Sequence, residues 1–352
     1  MLKLKKYRLY ELAQMHTYMK NLLTLLLIGL FLTGCNHHEE QSVDIRKKFG
    51  PFTSAQTLKW KPVDISKTPI YKTISRHPDQ YGYLNDVEIY SIGHISDGLL
   101  LSGFMVAPKK EGKYPIIVFN RGGNQELGRL LVATAVEVMA PFAAQGYITI
   151  ATNYRGNSGG EGKEQFGGSD VDDVINLIRS SGEYPKADTS RVGLFGISRG
   201  GMMNFLTLKN SDLPIRAMVN IGGITDLETT IKYHPEIGEV ANELIPGFQS
   251  NREEAIKNRS AVYWVNKIPK NTPMLLLHSK EDKHVNYSQI SVFTDSLDKY
   301  NMPYKSISFE HDKHGLINHK EQVRNLVLDW FDRYLKEEQP YNEFFKREVV
   351  SD

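Results

Sequence analysis

Cysteine is nearly missing from this chain. Cys35 is the one example in 352 residues, so neither an intrachain disulfide nor a cysteine-built zinc site can form. An excess of charge of one sign is missing too: 43 Lys and Arg face 41 Asp and Glu, a net charge of +2, and no long basic block follows the first few residues. Phosphate-driven nucleic-acid binding therefore has no basis in the composition. The apolar run at residues 22–32 is too short for a permanent spanning helix, because eleven residues at about 1.5 Å each do not cross a hydrocarbon core of roughly 30 Å. No set of His, Asp and Glu has convincing metal-ligand spacing, no internal repeat is apparent, and no cofactor is expected.

What is present begins with an address. The run at 22–32 follows Lys20 and ends in Leu32-Thr33-Gly34-Cys35. Its length suits the apolar region of a signal peptide, and its ending resembles a bacterial lipobox, in which a thiol receives lipid and becomes the new N-terminus. Residues 1–35 are accordingly expected to be a lipoprotein signal peptide, with Met19 as an alternative start, and Cys35 the lipidated residue. Several acyl chains on one terminus give a stable anchor, so the expected location is the bacterial cell envelope, on a membrane and facing the periplasm or exterior. Residues 36–80 carry scattered Pro, Lys and Ser with little periodicity and read as a tether and a loosely packed lead-in.

From about residue 81 to 340 the pattern is that of an α/β domain. Strands at 85–90 and 99–106 are joined by a turn at Ser96-Asp97-Gly98, an antiparallel entry to the sheet. Strand and helix then alternate: strands at 115–120, 147–153, 192–196, 217–222, 274–278 and 306–309, and helices at 127–144, 170–180, 201–208 and 289–300. A closing helix from His319 places Val323, Leu326, Val327, Trp330, Phe331 and Leu335 on one face. Such alternation predicts a mostly parallel, doubly wound sheet with helices on both faces. Residues 227–265 interrupt it as a small helical insertion able to act as a lid.

The chemistry-bearing stretch is Gly196-Ile197-Ser198-Arg199-Gly200, set between a strand and a helix. A serine at the apex of such a turn is strained, and small residues two before and two after let strand and helix pass closely. Its hydroxyl would stand out at the carboxyl end of the sheet, and the Arg199 amide would lie in a helix first turn suited to developing negative charge. The motif alone also fits an ordinary glycine-rich turn. A serine nucleophile needs a base and an orienting carboxylate, both on loops at the same sheet edge. Two loops qualify, 279–285 with Asp282 and 310–315 with His314, and the order Ser198, Asp282, His314 is that of α/β-hydrolases. Glu281 and Asp226 are rival acids, though Asp226 also suits a helix cap, and His311 is a rival base. His278 reads as structural, His284 as a surface residue within range of substrate, and Arg155 as a loop stabiliser.

Four segments carry a resemblance that covers residues 81–335. Asn153-Tyr-Arg-Gly-Asn-Ser-Gly-Gly160, Gly196-Ile-Ser-Arg-Gly-Gly201, Thr272-Pro-Met-Leu-Leu-Leu-His-Ser-Lys-Glu-Asp282 with Val285, and His314-Gly315 together resemble the catalytic domain of the prolyl oligopeptidase family of serine peptidases and its esterase relatives. The resemblance implies an α/β-hydrolase fold, Ser198 as nucleophile, Asp282 as orienting acid and His314 as base. It also implies two oxyanion donors, the Arg199 amide and a main-chain amide at Arg121 or Gly122. Arg121 stands where many relatives carry His or Tyr, a departure from a tyrosine-type donor. Family peptidases usually carry a β-propeller before this domain; here only about fifty residues separate Cys35 from the first strand. The expected activity is cofactor-free cleavage of small peptides or acyl esters. A carboxylesterase and a catalytically silent binding lipoprotein are the alternatives.

Overall fold

The computed structural model describes residues 44–341 and 346–351, and the expectations for residues 1–35, Cys35 among them, lie outside these. Among the described residues ten strands form one sheet: β1 (Leu58–Pro62), β2 (Val87–Ser96), β3 (Leu99–Pro108), β4 (Tyr114–Asn120), β5 (Ile148–Thr152), β6 (Ala187–Ile197), β7 (Ile215–Ile221), β8 (Met274–Ser279), β9 (Tyr304–Phe309) and β10 (Lys346–Val350). Their spatial order is β1-β2-β3-β5-β4-β6-β7-β8-β9-β10. The first three strands and the β3–β5 pair are antiparallel, and all remaining pairs are parallel. β2 and β3 meet at Asp97 (φ 50°) and Gly98 (φ 79°), two left-handed residues that give a hairpin turn whose twist matches its strands.

Central strands buried on both faces explain the unbroken apolar runs: β5 and β8 are buried at every position. One face packs Val171, Val174, Ile178, Phe205 and Phe293; the other packs Val136, Phe142, Val327, Phe331 and Leu335. The helices supplying these residues are α3 (132–144), α4 (Asp170–Ser180), α5 (Arg199–Asn210), α9 (Ser288–Lys299) and α10 (Lys320–Phe331), with Leu335 on the turn Asp332–Lys336 that continues α10. The short α1 (Ile45–Phe49) and α2 (Tyr71–Arg76) precede them. Between β7 and β8 lies the insertion, with α6 (Leu227–Tyr233), α7 (Pro235–Leu244) and α8 (Arg252–Arg259), whose Leu227, Leu244, Ile256 and Trp264 join the first of these cores.

Three stretches differ from expectation, the first being β10, which lies past the expected domain end at residue 340 and pairs parallel with β9. The lead-in is not loose: β1 pairs with the edge of β2, burying Leu58 and setting Trp60 edge-on to Tyr184 at 5.2 Å, and Ile45 and Phe49 pack on Leu100. Lysines flanking Trp60 obscured the strand, and Pro62 ends it on an edge that tolerates a missing donor. The expected helix at 127–144 starts only at Val132. Before it, the carbonyls of Gly122, Gln125 and Leu127 accept from the Arg121 guanidinium, so this backbone is satisfied without a helical ladder.

Candidate active site

Strand β6 runs directly into α5 through Ser198, whose φ of 59° and ψ of −124° lie in a sparsely populated region. Such a conformation costs on the order of 1–3 kcal/mol and persists only where its surroundings enforce it. They do: Ser198 N–H donates to Ile221 O at 2.9 Å, and its carbonyl accepts from Gly201 at 2.9 Å and Ile224 at 3.3 Å. A β-carbon at Gly200 would lie 1.9 Å from Asn120 O, and one at Gly196 would lie 2.4 Å from Gly200 O. Only glycines let this helix sit so close to β4 and β6. The same closeness brings in the loop after β4, because a β-carbon on Gly122 would be 3.1 Å from Ser198 Cβ and 3.7 Å from its Oγ. The backbone of Gly122 and the first turn of α5 thus flank one hydroxyl.

Asp282 and His314 come together over the same edge. His314 Nδ1 lies 2.8 Å from Asp282 Oδ2, and Asp282 Oδ1 accepts from the amides of His284 at 2.8 Å and Val285 at 2.9 Å. Burial alone would raise the Asp282 carboxyl, but the hydrogen bond and charge of His314 and the Val285 amide outweigh it and hold the group below the ordinary carboxylate range. Gly222, at φ 53°, slips beneath this pair: a β-carbon there would be 3.0 Å from Asp282 Oδ2 and 3.1 Å from His314 Nδ1. Since Gly222 follows the Ile221 carbonyl that holds Ser198, one turn after β7 touches all three groups. His314 Nδ1 is engaged by Asp282, and no hydrogen bond joins the ring to Ser198 Oγ in this structure. Such bonds commonly tighten only when substrate is bound. The loop carrying His314 is itself fastened: buried Asp312 accepts from the amides of Lys313, Asn318 and His319, and its carbonyl takes the Ser279 hydroxyl at 2.6 Å.

The rivals are elsewhere. Glu281 and His311 pair with each other at 2.9 Å with both side chains well exposed. Asp226 caps α6, accepting from Glu228 N at 3.1 Å. His278 is buried, with Nε2 on Val285 O at 2.8 Å, and burial pushes its imidazole below the usual value. His284 lies at the surface with its ring tilted against His314 at 5.1 Å, and partial desolvation together with the His314 charge lowers its imidazole as well. Arg155 braces its loop through Asp173 and Asp97.

One part of the site was not legible from sequence motifs. The Arg199 side chain turns inward, donating to Gly123 O at 3.0 Å and pairing with Glu164 and Asp170. Arg121 is buried in the same place, and the Tyr154 ring lies 5.0 Å from both guanidinium carbons. Glu164 sits in a stretch of charged and glycine residues that looks like solvated loop, and nothing in its spacing marks it. The guanidiniums of Arg121 and Arg199 are therefore both committed to partners inside this buried cluster.

A strained serine between a parallel strand and a helix, in a mostly parallel sheet wrapped by helices, makes this an α/β-hydrolase fold. The chain belongs to the prolyl oligopeptidase family, whose model matches residues 134–338. It is 30% identical over 220 residues to the uncharacterized peptidase YtmA of Bacillus subtilis, covering 62% of this chain and 83% of that protein. It is 25% identical to dipeptidyl-peptidase 5 of Porphyromonas gingivalis, covering 68% of this chain and 36% of the other. Among solved structures it resembles Pyrococcus horikoshii acylaminoacyl peptidase, with a TM-score of 0.63 and 25% identity, over 80% of this chain and 45% of that one. The chain thus spans less than half of the two larger peptidases. Family and relatives together make it an enzyme of the serine hydrolase and peptidase class.

Proposed function

We propose that this protein is a serine peptidase of small peptides that works through an acyl-enzyme on Ser198. The observation that carries the reading is the 2.8 Å pairing of His314 Nδ1 with buried Asp282, placed by Gly222 beside the strained Ser198 turn. Asp282 accepts from Nδ1–H, which leaves Nε2 as the basic nitrogen of His314. As Ser198 Oγ attacks the scissile carbonyl, Nε2 takes its proton. The carbonyl oxygen becomes an oxyanion facing the Arg199 amide and a main-chain amide at Gly122 or Arg121. Collapse breaks the C–N bond, and His314 returns the proton to the leaving amine. Water, activated by the same nitrogen, then releases the acyl group and restores Ser198.

The peptidase-named relatives support peptides over esters as substrates. A panel of aminoacyl and prolyl anilides beside p-nitrophenyl acyl esters tests this: amide cleavage abolished by Ser198→Ala is expected. Ester turnover without amide cleavage would make the protein a carboxylesterase. Failure of a fluorescent organophosphonate to label Ser198 in folded protein would leave a silent binding scaffold. The residues before the described fold support tethering by acylated Cys35, with the catalytic domain outside the cytoplasm. Metabolic labelling with an alkyne fatty acid should tag the wild type and not Cys35→Ser, and loss of the difference would remove the anchor.

A further inference from the structure

The amides that flank Ser198 come from two separate segments, the loop after β4 and the first turn of α5, so their spacing depends on what ties those segments together. Glu164 lies at that junction with a side chain only 2% exposed. Its Oε1 accepts from Arg199, the residue after the nucleophile, and its Oε2 accepts from Gln125 N at 2.9 Å and Asn157 Nδ2 at 2.6 Å. The same Oε2 is 3.6 Å from Arg121 Nη2. Arg121 in turn donates to the carbonyls of Gly122 and Leu127, both at 3.1 Å, and Arg199 donates to Gly123 O at 3.0 Å. One carboxylate thus bonds to the helix side through Arg199 and to the loop side through Gln125, while balancing part of the charge of two buried guanidiniums. Charge-assisted bonds in a buried site hold geometry tightly, and an unbalanced buried guanidinium does not remain in place.

We propose that Glu164 is a positioning residue for the oxyanion-binding amides: through Arg199 and the loop at 121–127 it fixes the distance between the Gly122 backbone and the α5 amide. It touches neither substrate nor Ser198 and acts through those backbones. The inference rests on the serine-peptidase reading and adds to it a residue outside the three groups at the sheet edge.

The test uses the full chain, with turnover per active site counted by titration with an acylating ester. Every partner of Glu164 is a donor. Glu164→Gln must therefore turn its NH2 against either Arg199 or the Gln125 amide, releasing one side. The expected result is a fall in kcat of about 10- to 100-fold with KM within about threefold, since the lost alignment matters in the transition state. Inhibition by a peptide boronic acid, which presents a tetrahedral oxyanion, should weaken in step, whereas a product peptide should bind as before. Glu164→Asp keeps the charge and should recover part of kcat; it also serves as the second variant if Glu164→Gln does not fold. Unchanged kcat per titrated site in whichever variants fold, or a rise in KM alone, would overturn the proposal. Turnover surviving in Ser198→Ala would instead remove the reading beneath it.

Discussion

Replacing Asp282 with Asn tests the pairing at the centre of the site, because the structure dictates which way the new amide must face. Asp282 Oδ1 accepts two backbone amides, from His284 at 2.8 Å and Val285 at 2.9 Å, and Oδ2 faces His314 Nδ1 at 2.8 Å. If the Asn NH2 turned toward the two amides, three donors would crowd together and the buried Val285 N–H and the partly buried His284 N–H would lose their acceptor, at about 1–3 kcal/mol for the buried one. The NH2 must therefore face His314, where it donates to Nδ1 and moves the ring proton to Nε2. That nitrogen then cannot take the Ser198 proton. In a Ser-His-Asp arrangement the wrong tautomer lowers kcat by about 10⁴-fold, equivalent to roughly 5 kcal/mol of barrier. Shape and hydrogen-bond number are almost unchanged, so the melting temperature should move little. The assay is kcat on an anilide or ester substrate at pH 7–8, beside thermal melts and phosphonate labelling. A variant that keeps kcat within tenfold of the wild type would refute the assignment of Asp282 as the residue that orients His314.

Gly222→Ala should lower kcat by about 10- to 100-fold and stability by only about 1–2 kcal/mol, because its β-carbon presses on the Asp282–His314 pair at 3.0–3.1 Å while φ 53° adds modest strain; melts and kinetics on one preparation check the split. Gly200→Ala, with its β-carbon 1.9 Å from Asn120 O, should instead cost several kcal/mol and yield little folded protein, read as soluble yield and urea midpoint. His94, fully buried with Nε2 on Thr152 Oγ1 at 2.9 Å, is pushed down to about 3 by burial. Its folded value lies below the unfolded one near 6.5, so its contribution is complete above that value and is lost as pH falls toward 3. Urea unfolding between pH 7 and 5 should show a decline approaching about 1.4 kcal/mol per pH unit below pH 6, and His94→Gln should flatten it.

Legibility followed locality. The glycine spacing around Ser198 and the alternating strands and helices are short-range patterns, and the fold they predicted is the one observed. The two loops after β8 and β9 were found because a parallel sheet aligns the carboxyl ends of its strands. The family resemblance, whose segment runs through Asp282 to Val285, implies Asp282 rather than Glu281, and in the structure the Val285 amide hydrogen-bonds the Asp282 carboxylate. What stayed hidden depends on partners distant in sequence. Leu58–Pro62 is held as a strand by pairing with the edge of β2, and the loop at 124–131 is interrupted by left-handed Gln125 and Gly128 while Arg121 takes the carbonyls of Gln125 and Leu127. Glu164 lies 35 residues before Arg199 in sequence, and no local pattern announces their contact.

The loop that presents His314 carries its own internal fastening. With the buried Asp312 carboxylate gripping the backbone amides of Lys313, Asn318 and His319 and Ser279 clasping the Asp312 carbonyl, the imidazole arrives on a segment with little freedom left to lose. In the proposed mechanism the ordering entropy of His314 is therefore met once, as the chain folds, and need not be met again in each catalytic cycle.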